Sequence, residues 1–216
     1  QSINLLMEPL PETADVLPPE TINALQELWI FGYGSLVWRP AFDHDLKKPA
    51  FLKGFKRRFW QGSRDHRGTD KNPGRVVTLL PDLDEVTWGM AYRVSPSSRD
   101  DVLEYLDVRE KGGYSQVIVD IFFPQNHCNH CKAPSDCPQN PTSVQALVYI
   151  ATERNIAYLG PNSMDKIATQ IFHSHGPSGA NTEYLLNLAK GLRAINADDP
   201  HVFELEQRVK LLSVPS

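Results

Sequence analysis

The chain has 216 residues, enough to bury one substantial core, and its 22 basic and 26 acidic side chains leave a net charge of −4. Apolar residues make up 41% of it without any long apolar run, which excludes a helical membrane span, and the negative balance argues against a nucleic-acid partner. The three cysteines, Cys128, Cys131 and Cys137, share one short segment, so no disulfide framework ties distant parts together.

Residues 1–18 mix acidic side chains and prolines with scattered apolar positions and read as a mobile leader. Residues 19–28, which open on proline, add a short helix. The start lacks the basic, apolar and small-residue sequence of a secretory signal, so a cytoplasmic location is expected. Trp29, Ile30 and Phe31 form a short apolar strand that stops at Gly32, and Gly34 turns the backbone sharply. A second strand covers 50–60. There Lys53, Lys56, Arg57 and Arg58 interleave with Phe51, Phe55, Phe59 and Trp60, as on one strand rather than in a nucleic-acid patch. Residues 75–80 and the period-two set Val86, Trp88, Met90, Tyr92 and Val94 predict two more strands, with Pro81, Asp82 and Asp84 as the turn between them.

Val102, Leu103 and Leu106 predict a helix that ends near Val108, ahead of Gly112 and Gly113, and a strand over 114–123 follows. Residues 124–143, rich in Pro, Asn, Cys and His, form a long surface loop before a strand over 144–150. The last third shows three helical stripes: Met164, Ile167, Ala168, Ile171 and Phe172; then Leu185, Leu188, Leu192 and Ile195; then Val202, Leu205, Val209 and Leu212. Strands first and helices last, with strands joined directly, predict an α+β domain rather than a doubly wound sheet.

The run Phe31-Gly32-Tyr33-Gly34-Ser35-Leu36 leaves backbone N–H groups to meet an anion or a carbonyl oxygen, unless it is simply a glycine-rich connection. It has neither the G-x-G-x-x-G spacing nor the lysine of a nucleotide loop. Ser35 lacks a G-x-S-x-G frame, so substrate contact suits it better than a nucleophile's role. Glu110, between Arg109 and Lys111, reads locally as a solvated charge, although Gly112 and Gly113 let the chain reverse and carry it into a cleft. Cys128-x-x-Cys131, with Cys137, His127 and His130 nearby, suits a zinc half-site, a redox pair or an inert loop.

Taken in order, several segments together resemble the ChaC family of glutathione-specific γ-glutamylcyclotransferases. They are Trp29-Ile30-Phe31-Gly32-Tyr33-Gly34-Ser35-Leu36-Val37-Trp38, Arg57-Arg58-Phe59-Trp60-Gln61-Gly62-Ser63, Asp65-His66-Arg67-Gly68 and Pro73-Gly74-Arg75-Val76-Val77-Thr78-Leu79. Tyr105-Leu106-Asp107 with Arg109-Glu110-Lys111-Gly112-Gly113-Tyr114 continues the series, and Gly176-Pro177-Ser178-Gly179 with Asn181-Thr182-Glu183-Tyr184-Leu185 completes it.

The resemblance implies a small mixed β-barrel or strongly curved sheet flanked by helices, as one catalytic domain over 29–212 behind a leader at 1–28. It implies cyclisation of the γ-glutamyl group of glutathione to 5-oxoproline with release of cysteinyl-glycine, without cofactor or metal. Glu110 would be the catalytic carboxylate, and Ile30, Phe31, Gly32, Tyr33, Gly34, Ser35 and Leu36 the substrate loop. As a base toward an amine, Glu110 would be partly desolvated, with Arg109 and Lys111 pointing away. Arg75 and Arg67 suit a substrate carboxylate or, equally, a structural ion pair. Tyr114 and Tyr184 are cleft walls or plain core residues. Two other readings stay open: a cyclotransferase for other γ-glutamyl amino acids or amines, and a non-catalytic interaction protein on the same fold.

Overall fold

The computed structural model describes residues 16–109, 112–124 and 143–213. Its centre is a closed barrel of β1 (Leu28–Gly32), β2 (Leu46–Ser63), β3 (Gly74–Val94), β4 (Ser115–Phe122) and β5 (Ser143–Ile150), in the order β1-β3-β2-β4-β5. All neighbours are antiparallel except β1 and β5, which run parallel at Ile30 and Leu147. The expected mixed barrel is therefore present. All five residues of β1 are buried, as befits a strand covered on both faces.

The two strands expected over 75–94 are one. Lys53 of β2 faces Val86, and Phe55 faces Pro81, so residues 82–85 bulge out opposite Gly54 alone. The chain does not reverse at Pro81, Asp82 and Asp84 because the segments on both sides pair with the same partner strand. A bulge accommodates proline, which has no N–H to give to a ladder. The interleaved cations of β2 are engaged singly: Lys53 lies over the Phe122 ring, Lys56 pairs with Asp82, Arg58 with Glu85 and Arg57 with Asp199.

Helices close the outside. The short α1 (Pro19–Asn23) ends sooner than the expected span to residue 28, and the Arg99 guanidinium donates to Ile22 O beside it. Of the expected leader, Leu17 donates its N–H to Gln116 Oε1 at 2.9 Å, and residues 1–15 lie outside the described residues. The helix α2 (Arg99–Arg109) precedes β4. α3 (Met164–His173), α4 (Asn181–Ala194) and α5 (Pro200–Leu212) bury the predicted stripes at Ile167, Ala168 and Ile171, at Leu185, Leu188 and Leu192, and at Val202, Leu205 and Val209. Asn181 docks α4 on the barrel: its Oδ1 accepts from Arg75 N at 2.6 Å, and its Nδ2 donates to Arg75 O at 2.8 Å. One side chain thereby takes the place of a neighbouring strand and sets where Tyr184, one turn on, meets the barrel.

His201, at the start of α5, accepts the Phe59 N–H on Nε2 at 3.0 Å, so Nε2 carries no proton. Burial, and then the charges of Arg58 and Arg57, push its imidazole down to about 3 from an ordinary 6.5. Between those values the unfolded chain binds a proton that the folded one refuses. His201 therefore favours folding fully above about pH 6.5, and that contribution is lost as pH falls toward 3, at no more than about 1.4 kcal/mol per pH unit. Thermal unfolding at pH 7.5 and 5 should show a smaller acid-side loss of Tm in His201→Gln, which keeps an acceptor for Phe59. Equal losses in both proteins would remove His201 as the cause.

Candidate active site

Because β1 and β5 are parallel, their C-terminal ends reach the same rim of the barrel. A cleft of about 530 Å³ opens there, a size suited to a small ligand. Its walls are the ends of β1, β2 and β5, the start of β3, the last turn of α2 and the first turn of α4.

Phe31, Gly32, Tyr33, Gly34, Ser35 and Leu36 line this cleft, together with Tyr114 and Tyr184. Two of the expected substrate contacts do not. Ile30 is wholly buried in the core at its pairing with Leu147 and Tyr92. Arg75 is buried too, and its guanidinium is used on neutral acceptors: Nε on Gln170 Oε1 at 2.6 Å, Nη1 on Phe59 O at 2.9 Å and on Gly160 O at 3.0 Å. It braces β2, β3 and α3 and is absent from the cleft lining. Ile30 is taken up by the core and Arg75 is held by α3 and two backbone carbonyls, so neither side chain is free to meet a ligand in the cleft. Arg67 does reach the lining, while its Nη1 pairs with Glu183 and donates to Ala180 O, each at 3.0 Å.

Gly34 is required by close approach, since a Cβ there would lie 2.8 Å from the Tyr184 hydroxyl. Tyr184 is thus pressed against the turn after β1, with Trp38 edge-on at 5.2 Å. The Tyr33 hydroxyl donates to Tyr149 O at 2.8 Å, and the Tyr149 hydroxyl donates to Asp107 Oδ1 at 2.8 Å. The turn, β5 and the end of α2 are joined by this chain.

Arg109 overturns one expectation. Its guanidinium lines the cleft and donates to Ser35 Oγ, where it was expected to point away. The end of α2 faces the Ser35 turn, and a serine hydroxyl offers the acceptor that a guanidinium lacks in itself. A guanidinium cannot take up a proton, so Ser35 has no base in this partner. Among the described residues Arg39, Arg64, Arg67 and Arg109 line the cleft, with Asp65 beside them and Glu183 paired to Arg67; the surplus of positive charge, on a protein of net charge −4, suits a substrate bearing carboxylates.

Glu110 and Lys111 lie outside the described residues, as do Cys128, Cys131 and Cys137 with His127 and His130. The described neighbours of Glu110 in sequence, Arg109 and Gly112, both line the cleft. Among the described residues no group of His, Cys, Asp and Glu is placed to hold a metal ion, and no helix is long and apolar enough to cross a membrane. Cleft residues that the sequence reading passed over include Trp38, Gln61, Arg64 and Tyr149. Trp38 and Gln61 belong to the quoted segments and were within reach of it. Arg64 and Tyr149 carry no local signal.

The model of the family described as ChaC-like protein matches residues 28–212. The chain is 48% identical over 193 residues to glutathione-specific gamma-glutamylcyclotransferase 1 of Danio rerio, covering 88% of this chain and 92% of that one. The Homo sapiens protein of the same name is 48% identical over 181 residues, covering 82% of this chain and 76% of that one. A crystal structure of the glutathione-specific γ-glutamyl cyclotransferase from yeast superposes with a TM-score of 0.77 at 34% identity, covering 86% of this chain and 96% of that one.

Proposed function

This chain belongs to the ChaC-like protein family, and from that premise we propose that it degrades glutathione by cyclising the γ-glutamyl group, releasing 5-oxoproline and cysteinyl-glycine. The observation that carries this reading is the electropositive cleft at the rim of the barrel, walled by the Phe31–Leu36 turn on one side and by both flanks of Glu110 on the other. The relatives named for the same reaction support it. A cytoplasmic location is part of the proposal.

In a γ-glutamyl amide the free α-amine and the γ-carbonyl carbon belong to one molecule. The amine attacks the carbon, a five-membered lactam closes, and the amide nitrogen leaves with a proton, so no enzyme nucleophile is needed. Holding the substrate folded can contribute about 7–11 kcal/mol. Glu110 takes the proton from the α-ammonium and later returns one to the leaving nitrogen. The backbone N–H groups of Gly34 and Ser35 face the developing oxyanion; they open the short turn Ser35–Val37, whose first amides have no acceptor within it. The arginines of the rim attract the two carboxylates of glutathione.

The direct test incubates the purified protein with glutathione and with γ-glutamyl-alanine and measures 5-oxoproline. Release from glutathione at a kcat/KM about tenfold or more above that for γ-glutamyl-alanine is expected. Faster release from γ-glutamyl-alanine would favour a broader γ-glutamyl specificity. No release from either would point to a non-catalytic protein on this fold.

A further inference from the structure

Asn155 lies in the connection between β5 and α3, only 9% exposed, and every hydrogen-bonding position of its amide is used. Its Nδ2 donates to Gly112 O at 2.7 Å and to Gly113 O at 2.8 Å. Its Oδ1 accepts from Gln61 Nε2 at 3.0 Å and from Ala157 N at 2.9 Å. Gly113 adopts φ +81°, and a Cβ on it would lie 3.1 Å from Asn155 Nδ2, so the turn is pressed directly onto the amide. Gln61, 1% exposed at the end of β2, is oriented by this contact and keeps a buried Oε1 that no described residue reaches with a donor. Such an orphan acceptor disfavours folding. Turning the Gln61 amide over would set oxygen against Asn155 Oδ1. The arrangement therefore tolerates a local penalty in order to keep Asn155 donating toward the glycine turn.

The glycine turn begins two residues after Glu110. We propose that Asn155 is a positioning residue for the reaction: it anchors the Gly112–Gly113 turn to β2 and so sets how the preceding Glu110 carboxylate meets the substrate amine. The inference rests on the role given to Glu110 above. Asn155 touches no reacting atom in this scheme and acts through the backbone it holds. The consequence is a split between binding and chemistry, because the Phe31–Leu36 turn and Arg67, which hold the substrate, are fixed by other contacts: Tyr33 by Tyr149 O, and Arg67 by Glu183 and Ala180 O.

Asn155→Asp separates the two sides of the amide. It keeps an acceptor for Gln61 and Ala157, loses both donors, and sets a carboxylate against two carbonyl oxygens. With glutathione as substrate, kcat is expected to fall by roughly tenfold to a hundredfold, KM to stay within about threefold, and the acid limb of the pH profile of kcat to move. Asn155→Ser keeps one donor; it should fall between, and it carries the same test if the aspartate variant does not fold. Gln170→Ala, which removes one of the three contacts of the Arg75 guanidinium away from the cleft, is the control for a general loss of Tm; its kcat, KM and pH profile should match wild type. Wild-type kcat and pH profile in Asn155→Asp, or losses equal to those of Gln170→Ala, would overturn the inference. A wild-type protein that forms no 5-oxoproline would overturn the proposed function, so the two failures are distinct.

Discussion

Glu110→Gln is expected to fold as wild type does and to lose almost all release of 5-oxoproline from glutathione, by on the order of 10²–10⁴-fold in kcat. The reason lies in the substrate. At neutral pH its α-amine is an ammonium ion with no lone pair, and the amide nitrogen that must leave is a poor leaving group without a proton. Both difficulties are removed by one group that accepts a proton and gives it back. Glutamine has the size of glutamate and donates hydrogen bonds, yet takes up no proton at any relevant pH.

Glu110→Asp sharpens the test. It keeps the carboxylate and withdraws it by one methylene, so it should retain a fraction of activity, lost mainly in kcat. Arg109 bears on the outcome, because a guanidinium on the cleft wall favours the ionised form of any carboxylate nearby and keeps the base ready to accept. Near wild-type turnover by folded Glu110→Gln would remove Glu110 from the mechanism and shift attention to the cleft tyrosines.

The strands and helices were legible because they rest on repetition, whereas the closure of the strands into a barrel was legible only through the resemblance of the ordered segments. The alternation from Val86 to Val94 and the stripes at Ile167, Leu185 and Val202 each repeat one signal several times, and burial follows it at Met90, Tyr92 and Val94. The bulge at residues 82–85 was not legible, since proline and aspartate announce an interruption without saying whether the chain reverses or resumes with the same partner. Arg75, which suited a substrate carboxylate or a structural contact equally, and Arg109, expected to point away, were not decided by their neighbours in sequence, because a guanidinium's environment is set by residues distant in sequence, Gln170 and Gly160 for the first and Ser35 for the second. Asn155 is a single polar residue in the connection over 151–163, and nothing local distinguishes it from a turn residue. Glu110 was legible only through the ordered segments around it.

The largest effect on stability is expected at Asp199. Arg57 is fully buried in β2, its side chain 1% exposed, and Asp199 Oδ2 lies 3.6 Å from its Nε with 14% exposure. Its only hydrogen bond among the described residues goes to Trp88 O, and Nε and Nη1 have no such partner. Burial holds this guanidinium below its ordinary range although Asp199 pulls the other way, so the carboxylate is what makes the buried charge tolerable. Asp199 also caps α5, its Oδ1 accepting from Val202 N at 3.0 Å. Removing one partner of a buried pair typically destabilises by about 3–5 kcal/mol, and losing a cap adds about 1 kcal/mol. Asp199→Ala should therefore lose most of the stability an ordinary domain has. Asp199→Asn keeps the capping oxygen and removes only the charge, so it should lose about 3 kcal/mol. The double variant Arg57→Met with Asp199→Asn should return to within about 1 kcal/mol of wild type, because an apolar replacement of a buried pair is often neutral or better. Denaturant unfolding of the three proteins decides the matter. A loss below about 1 kcal/mol in Asp199→Asn would show that the guanidinium finds its compensation elsewhere. The pair also bears on the cleft: Phe59, two residues on in β2, packs its ring against His201 of α5 at 6.1 Å and against Tyr184 of the cleft wall at 6.0 Å. Loosening the seam between β2 and α5 should therefore lower turnover at temperatures where the protein is still folded.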